Sequence, residues 1–499
     1  MEVYSHASKY NEWKDIYNWG TCKAGREEYG TFLASHLTSG SRVINLNGQF
    51  GSGKTQFVRR LYTHLAKEKH PVVYFDVWES DFSNNPLAII CSELIQQLEN
   101  VFDKEAPRDK YSLSTKAKRT LNALKKSLST GLKAFAAASL VAGEPASSKI
   151  SSSTAKVLDA TPDIDPRSHS KKLIDSVKDL HIEAVIALKD IKEHITTLSV
   201  FMEDIYDLKV PIIIIIDELD RCRPTYAVEV LEVVKHFFET NGCTFLLSTN
   251  TDVLEQSIQS IYGSKFDSKH YLRRFFDRKV NLPQVSIENY MATTEDRFTH
   301  YNNPNVIINP YHENHYDNAE LFACLFKSND MELRDIDQVL SRYFATLDYI
   351  NRLAEESPVV VNSVVLIAGL IGQHSDKIWL TERRNDTETE VPIIRTNTED
   401  CQFNVESVVS SMFRCVSLGK SKTKYEGNGY SNDFFNGPVE MLALQTTDFS
   451  KINLFRDTRK HNISKELLIK IVSDFNNENY KYWLWEDHQK VIELSGHIE

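Results

Sequence analysis

Of the 499 residues in the chain, the eight that most limit its possible folds are Gly48-Gln49-Phe50-Gly51-Ser52-Gly53-Lys54-Thr55. The apolar run Val43 to Leu46 leads into them and the amphipathic stretch Thr55 to Ala66 leads out, so the local order is strand, loop, helix. Glycines in such a turn take backbone angles that other residues avoid. Several N–H groups can then converge at the positive end of a new helix. Converging N–H groups followed by a lysine and a hydroxyl suit a row of phosphates. Gly48, Gln49, Phe50, Gly51, Ser52, Gly53 and Lys54, with Thr55 and Gln56 behind them, therefore form the expected phosphate cradle. In it, Lys54 neutralises β- and γ-phosphate charge, and the Thr55 hydroxyl takes one position on Mg²⁺.

Further short apolar runs, Val72 to Val77, Ile212 to Ile216 and Thr244 to Thr249, are bounded by turn or helix signals, the pattern of strands buried on both faces of a parallel sheet. The fold class is α/β, a mainly parallel sheet flanked by helices. A largely helical insertion occupies about residues 100–199. Within it, Lys110 to Gly143 carries seven Lys or Arg and no acid, Pro145 to Ser170 reads as a Ser-, Pro- and Asp-rich linker, and helical spacing resumes from Leu173 to Leu198. After Pro283 the strand signals fade, which sets residues 1–285 apart from a mainly helical region, 286–499. The longest apolar stretches, Ala134 to Ala142 and Val359 to Ile371, fall short of the roughly 20 residues that span a bilayer.

A phosphate cradle on a parallel sheet needs a carboxylate at the carboxyl end of a neighbouring strand, and the five isoleucines deliver Asp217 there as the second Mg²⁺ partner. Glu218 points differently and can orient or deprotonate the attacking water, which makes hydrolysis and not only binding the expectation. Asp220 and Arg221 read as a local pair or as caps of the following helix. Asn250, after Thr244 to Thr249, is either a sensor beside the γ-phosphate or an ordinary turn asparagine. Arg274 is the first choice for a charge-stabilising arginine acting in cis or from a neighbouring subunit, with Arg273 and Arg278 close behind.

This combination resembles the KAP family of P-loop NTPases, within the larger group that holds AAA+ and STAND ATPases. Four stretches carry the likeness: Gly25-Arg26-Glu27-Glu28, the glycine loop, Tyr74 to Phe82 with Asn85-Pro86-Leu87, and Asp217-Glu218-Leu219-Asp220-Arg221-Cys222-Arg223-Pro224. The resemblance covers roughly residues 20 to 285, and it extends to the helix around Arg334, where related ATPases carry a lid arginine. It implies that Arg26 and Arg334 join the nucleotide site, that the nucleotide is ATP with Mg²⁺, and that hydrolysis drives conformational change in a homo-oligomer. Among bacterial members the biological role is often defence against phage or plasmids. Many relatives place transmembrane helices between the glycine loop and the acidic strand.

Charge excludes some partners. Against 58 Lys and Arg stand 69 Asp and Glu, so no global positive field draws the chain to nucleic acid or anionic lipid. A local exception is Lys110 to Lys133, where Leu121, Leu124, Leu128 and Leu132 at helical spacing accompany the basic residues. A surface helix packed on its own domain is the favoured reading there, with a peripheral membrane or DNA contact as the rival. Seven scattered cysteines and a polar start without a leader-like apolar stretch suggest a reduced, cytoplasmic protein. His312, Glu313 and His315 lack the helical zinc spacing. The alternative to an enzyme is a nucleotide-gated scaffold with little turnover that presents residues 286–499 to a protein partner.

Overall fold

The computed structural model describes residues 7–141 and 166–294 apart from 41, 83–85, 103–106 and 238–239, then 305–309, 318–354, 358–375, scattered positions between 409 and 438, and 479–497. Asn85, His312, Glu313, His315 and most of the expected linker, 145–165, lie outside the described residues. The described chain divides into two compact units, Met1–Gln284 and Val285–Glu499.

The first unit is built on five parallel strands: β1 (Val43–Asn47), β2 (Val72–Asp76), β3 (Ile212–Asp217), β4 (Cys243–Thr249) and β5 (Arg278–Asn281). Their spatial order is β2-β3-β4-β1-β5. Burial on both sides explains the isoleucine run. Ile213 and Ile215 join Ile44, Leu46 and Leu246 on one face, packed against Phe57, Val58 and Leu61 of the helix Lys54–Lys67. Ile212, Ile214 and Ile216 face the opposite layer with Ile90, Leu94, Val230 and Leu254. Each buried isoleucine contributes about 1.5–3 kcal/mol relative to exposure.

The strand order corrects one expectation from sequence. The acidic strand β3 is not a neighbour of β1; β4 runs between them in the centre of the sheet. Because all five strands are parallel, the segments that follow them still gather along a single edge.

Between β2 and β3, the helices Pro86–Phe102, Tyr111–Val141 and Pro166–Tyr206 form the insertion. The last of these begins at Pro166, earlier than the spacing suggested, so 166–170 are helical and not linker. Leu121, Leu124 and Leu128 are buried in one cluster with Ile191, Ile195 and Leu198. The leucine stripe thus serves packing inside the unit, and a membrane-lying arrangement that uses these leucines has no apolar face left to it. Lys116, Lys118, Arg119, Lys125 and Lys126 remain exposed, with Lys125 paired to Glu99. Among the described residues, no helix is long and apolar enough to cross a membrane.

The second unit is mostly helical, with Asn318–Ser328, Leu333–Leu353, Ser363–His374 and Trp485–Ser495 sharing a core. It also contains a feature that the sequence reading lacked: a parallel sheet in which β6 (Val306–Asn309) and Lys481–Tyr482 flank β7 (Val359–Asn362). The apolar stretch Val359 to Ile371 is thus a buried strand turning directly into a buried helix. His488 locks this core: its Nε2 accepts the Asn362 backbone N–H at 3.0 Å and its Nδ1 donates to the Leu484 carbonyl at 2.8 Å. Complete burial pushes its pKa down to about 4, against the hydrogen bond to Leu484 and the charge of Asp487, which act in the opposite direction.

A proton on Nε2 would face the Asn362 N–H, so the neutral ring favours the fold above its unfolded pKa of about 6.5, and that contribution fades as pH falls toward 4. Denaturant midpoints measured near neutral pH and near pH 4.5 are expected to show the second unit losing up to roughly 3 kcal/mol more than in His488→Gln, which lacks the titrating ring.

Candidate functional site

The glycine loop leaves β1 and enters the helix Lys54–Lys67, as its sequence requires. Gly53 begins that helix with φ +81°, a left-handed angle suited to glycine. Gly48 is needed for space, because a Cβ there would sit 2.9 Å from Lys54 Cγ and 3.0 Å from Ser52 Oγ. The Lys54 ammonium folds over the loop and donates to the carbonyls of Gly48 at 2.7 Å and Gln49 at 2.9 Å. It also lies 4.0 Å from Asp220 Oδ2. Phe50 is half exposed on the loop, and Gln56 accepts a 2.9 Å hydrogen bond from Arg60.

Arg26 stands behind the cradle. It is buried, and it donates to the Ser52 carbonyl at 2.8 Å and the Pro283 carbonyl at 2.7 Å, tying the loop to the segment after β5. Burial pulls its pKa down to about 10, still a cation at neutral pH. In this geometry Arg26 holds the backbone of the loop.

β3 ends in Asp217, only 1% exposed. One oxygen accepts a 3.1 Å hydrogen bond from the Tyr74 hydroxyl on β2, and the other, Oδ1, has no hydrogen-bond partner among the described residues. Burial, and after it the charge of Glu218, raises the Asp217 pKa to about 6, while the hydroxyls of Ser248, Thr55 and Tyr74 act in the opposite direction. The role of Tyr74 was not evident from the sequence. The signal available in the sequence was its position two residues before Asp76, which pairs in register with Asp217.

Glu218 follows in a left-handed conformation, φ +63°, uncommon outside glycine. This bend turns its carboxylate toward the cradle, where Oε1 accepts a 2.6 Å hydrogen bond from Thr55 Oγ1. The glycine loop and the acidic strand therefore meet although β4 separates their strands. Oε2 of Glu218 is ion-paired with Arg221 Nε. Arg221 and Asp220 do not pair with each other, contrary to the local reading; the first engages Glu218 and the second faces Lys54.

Asn250 closes β4, the central strand. Its Oδ1 caps the helix Thr251–Tyr262 by accepting from the N–H groups of Asp252 at 3.2 Å and Val253 at 3.4 Å. Arg273, Arg274 and Arg278 are exposed at the opposite end of the sheet. Arg278 is level with Ile44, and the neighbouring Asp277 bonds the backbone of Val43 at the start of β1, whereas the glycine loop follows its end. The structure thus does not bring these three arginines to the cradle of their own chain. Arg334 is on the helix Leu333–Leu353 of the second unit.

Two features test whether Mg²⁺ and a nucleotide fit: a buried carboxylate oxygen without a partner, and a glycine cradle that a single Cβ would crowd. Both are suited, and Asp217 Oδ1 with Thr55 Oγ1 is the oxygen-donor set that a hard divalent cation prefers.

Comparison with known proteins agrees with this geometry. A search of curated proteins returned no match. A scan of protein families matched the KAP family P-loop domain over residues 29–354, a span that includes the glycine loop, the acidic strand and Arg334. With more than half of its length matched, and with a parallel sheet carrying the motif in its required place, the chain belongs to the KAP family of P-loop NTPases.

Proposed function

We propose that this protein is a Mg²⁺-dependent ATPase whose hydrolysis cycle drives a change of conformation or assembly. The observation that carries the reading is the 2.6 Å contact between Thr55 and Glu218, which joins the phosphate cradle to the carboxylates across the intervening strand. Thr55 and Asp217 are the residues that hold the metal. When bound, the metal screens phosphate charge and polarises the γ-phosphoryl group.

The remaining steps belong to the chain. The Lys54 ammonium exchanges the carbonyls of Gly48 and Gln49 for β- and γ-phosphate oxygens, keeping its hydrogen bonds while gaining charge neutralisation. Glu218 orients the attacking water and accepts its proton. Asn250 follows the central strand, between the strands that lead to the cradle and to the carboxylates, and besides capping the next helix it serves as the sensor of the γ-phosphate or its water. Arg273 and Arg274, exposed at the far end of the sheet, act on the nucleotide of an adjoining copy, which makes a homo-oligomer part of the proposal. ATP in preference to GTP rests on the resemblance alone. A protein partner engages the second unit.

Steady-state phosphate release tests the enzyme reading. Glu218→Gln is expected to lose roughly 100-fold or more in kcat while ATP affinity stays within a few-fold. No turnover in wild type, with assembly that still depends on nucleotide, would leave the gated scaffold in its place.

Asp217→Asn separates metal binding from folding. With its pKa raised from 3.8 to about 6, the ionised carboxylate opposes folding of the metal-free chain. The stability is intact below about pH 4 and is lost as pH rises through about 6. The variant is therefore expected to melt higher near pH 8, by on the order of 1–3 kcal/mol, with no gain near pH 4. It should also lose the thermal shift that Mg²⁺ with nucleotide gives the wild type.

A further inference from the structure

The turn after β3 contains an arginine whose surroundings are more elaborate than a surface ion pair needs. The Arg221 guanidinium lies over two rings, 5.3 Å from the centre of Phe50 and 5.6 Å from the centre of Trp78. Phe50 belongs to the phosphate loop and Trp78 to the segment after β2, and both rings are about half exposed, 52% and 51%. Two large aromatic side chains left half in water gain little as core; stacked on a cation they restrict its rotation.

Other acids nearby are already engaged. Asp81 binds Arg223 through its side chain, accepting from Nε at 3.0 Å and from the backbone N–H at 3.1 Å, and Asp220 faces Lys54. Arg221 is thereby directed to Glu218, whose Oε1 is held in turn by Thr55. In this arrangement each oxygen of the proposed base already has one donor, Thr55 on Oε1 and Arg221 on Oε2.

We propose that Arg221 is the positioning residue for Glu218: held against the rings of Phe50 and Trp78, it keeps Oε2 engaged, so that Oε1 is the oxygen presented to the attacking water once the Thr55 hydroxyl turns to the metal. The idea rests on the reading of Glu218 as the group that acts on water. Its consequence is that the phosphate loop, through Phe50, and the β2 segment, through Trp78, jointly set the orientation of the carboxylate. Nucleotide in the cradle and the catalytic acid are then mechanically coupled.

The test combines kcat, KM and calorimetric affinity for a slowly hydrolysed ATP analogue in Arg221→Ala, Arg221→Lys, Phe50→Ala, Glu218→Gln and the double variant Glu218→Gln/Arg221→Ala. Arg221→Ala is expected to lower kcat roughly 10- to 100-fold with analogue affinity within about threefold, since positioning errors act on the reactive geometry. Arg221→Lys, which keeps charge but loses the planar stack, recovers part of the loss, and Phe50→Ala gives a smaller fall of the same kind. Amide exchange in the turn 217–222 rises in nucleotide-free Arg221→Ala while the melting temperature stays within a few degrees. In the double variant, removing Arg221 is expected to cost nothing beyond Glu218→Gln alone.

Turnover unchanged in Arg221→Ala, or a loss that multiplies with that of Glu218→Gln, overturns the positioning role and leaves the ATPase reading standing. Wild-type turnover in Glu218→Gln instead removes the catalytic reading of Glu218, and the proposal with it.

Discussion

A carboxylate buried at the tip of an isoleucine strand is the constraint around which the nucleotide site is organised. Asp217 follows five consecutive isoleucines and is almost entirely withdrawn from water. An ionised group in such a position is costly unless a donor or a cation meets it. Tyr74 meets one oxygen and the other has no hydrogen-bond partner among the described residues, an oxygen of the kind that a divalent cation can satisfy. The raised pKa of the carboxylate is the electrostatic record of the same deficit. The two-faced burial of β3 is what makes it possible, because only a strand packed on both sides can carry its last residue so far from solvent.

The cradle opposite is organised by a complementary excess of cations. Lys54 rests on loop carbonyls near Asp220, and Arg26 spans two carbonyls behind the loop. These contacts differ in kind. Arg26 is buried, and its planar fork is fixed on the Ser52 and Pro283 carbonyls. Lys54 is a flexible point charge whose hydrogen-bond acceptors are neutral carbonyls, with Asp220 at 4.0 Å, and a phosphate oxygen is the stronger acceptor for an ammonium. The same sequence interval thus contains a brace and a replaceable contact.

How much of this was legible depended on the range of the interaction. The glycine loop and its helix were plain because eight contiguous residues specify them, and the strand Ile212–Asp217 because burial on two faces leaves no polar position before its last residue. Strand order was not legible: β4 comes last among the three central strands in the chain yet sits between β1 and β3, and local pattern contains no information on which strands pair. Side-chain pairing failed for a related reason. Asp220 and Arg221 are adjacent in sequence, but the short helical turn Leu219–Arg221 points them apart, one to Lys54 and the other to Glu218. The leucine stripe from Leu121 to Leu128 could serve a lipid surface or a partner helix equally well by periodicity alone. The helix Pro166–Tyr206, distant in the chain, decides between them.

The polarity of the sheet bears on the arginines as well. In a parallel sheet every strand ends at one edge, which is where the cradle, Asp217, Glu218 and Asn250 collect. Arg278 is in register with Ile44, four residues before the loop begins, a rise of about 13 Å along the strand before any side chain is considered. Asp277 fastens this segment to the first residue of β1 by backbone and side-chain hydrogen bonds, so it cannot slide toward the loop without breaking the edge of the sheet. An arginine from this region therefore has no short route to the phosphates of its own chain. The length of the sheet thus separates Arg273, Arg274 and Arg278 from the cradle, and the phosphates there are met by Lys54 and the loop backbone, which the same sheet places at its other end.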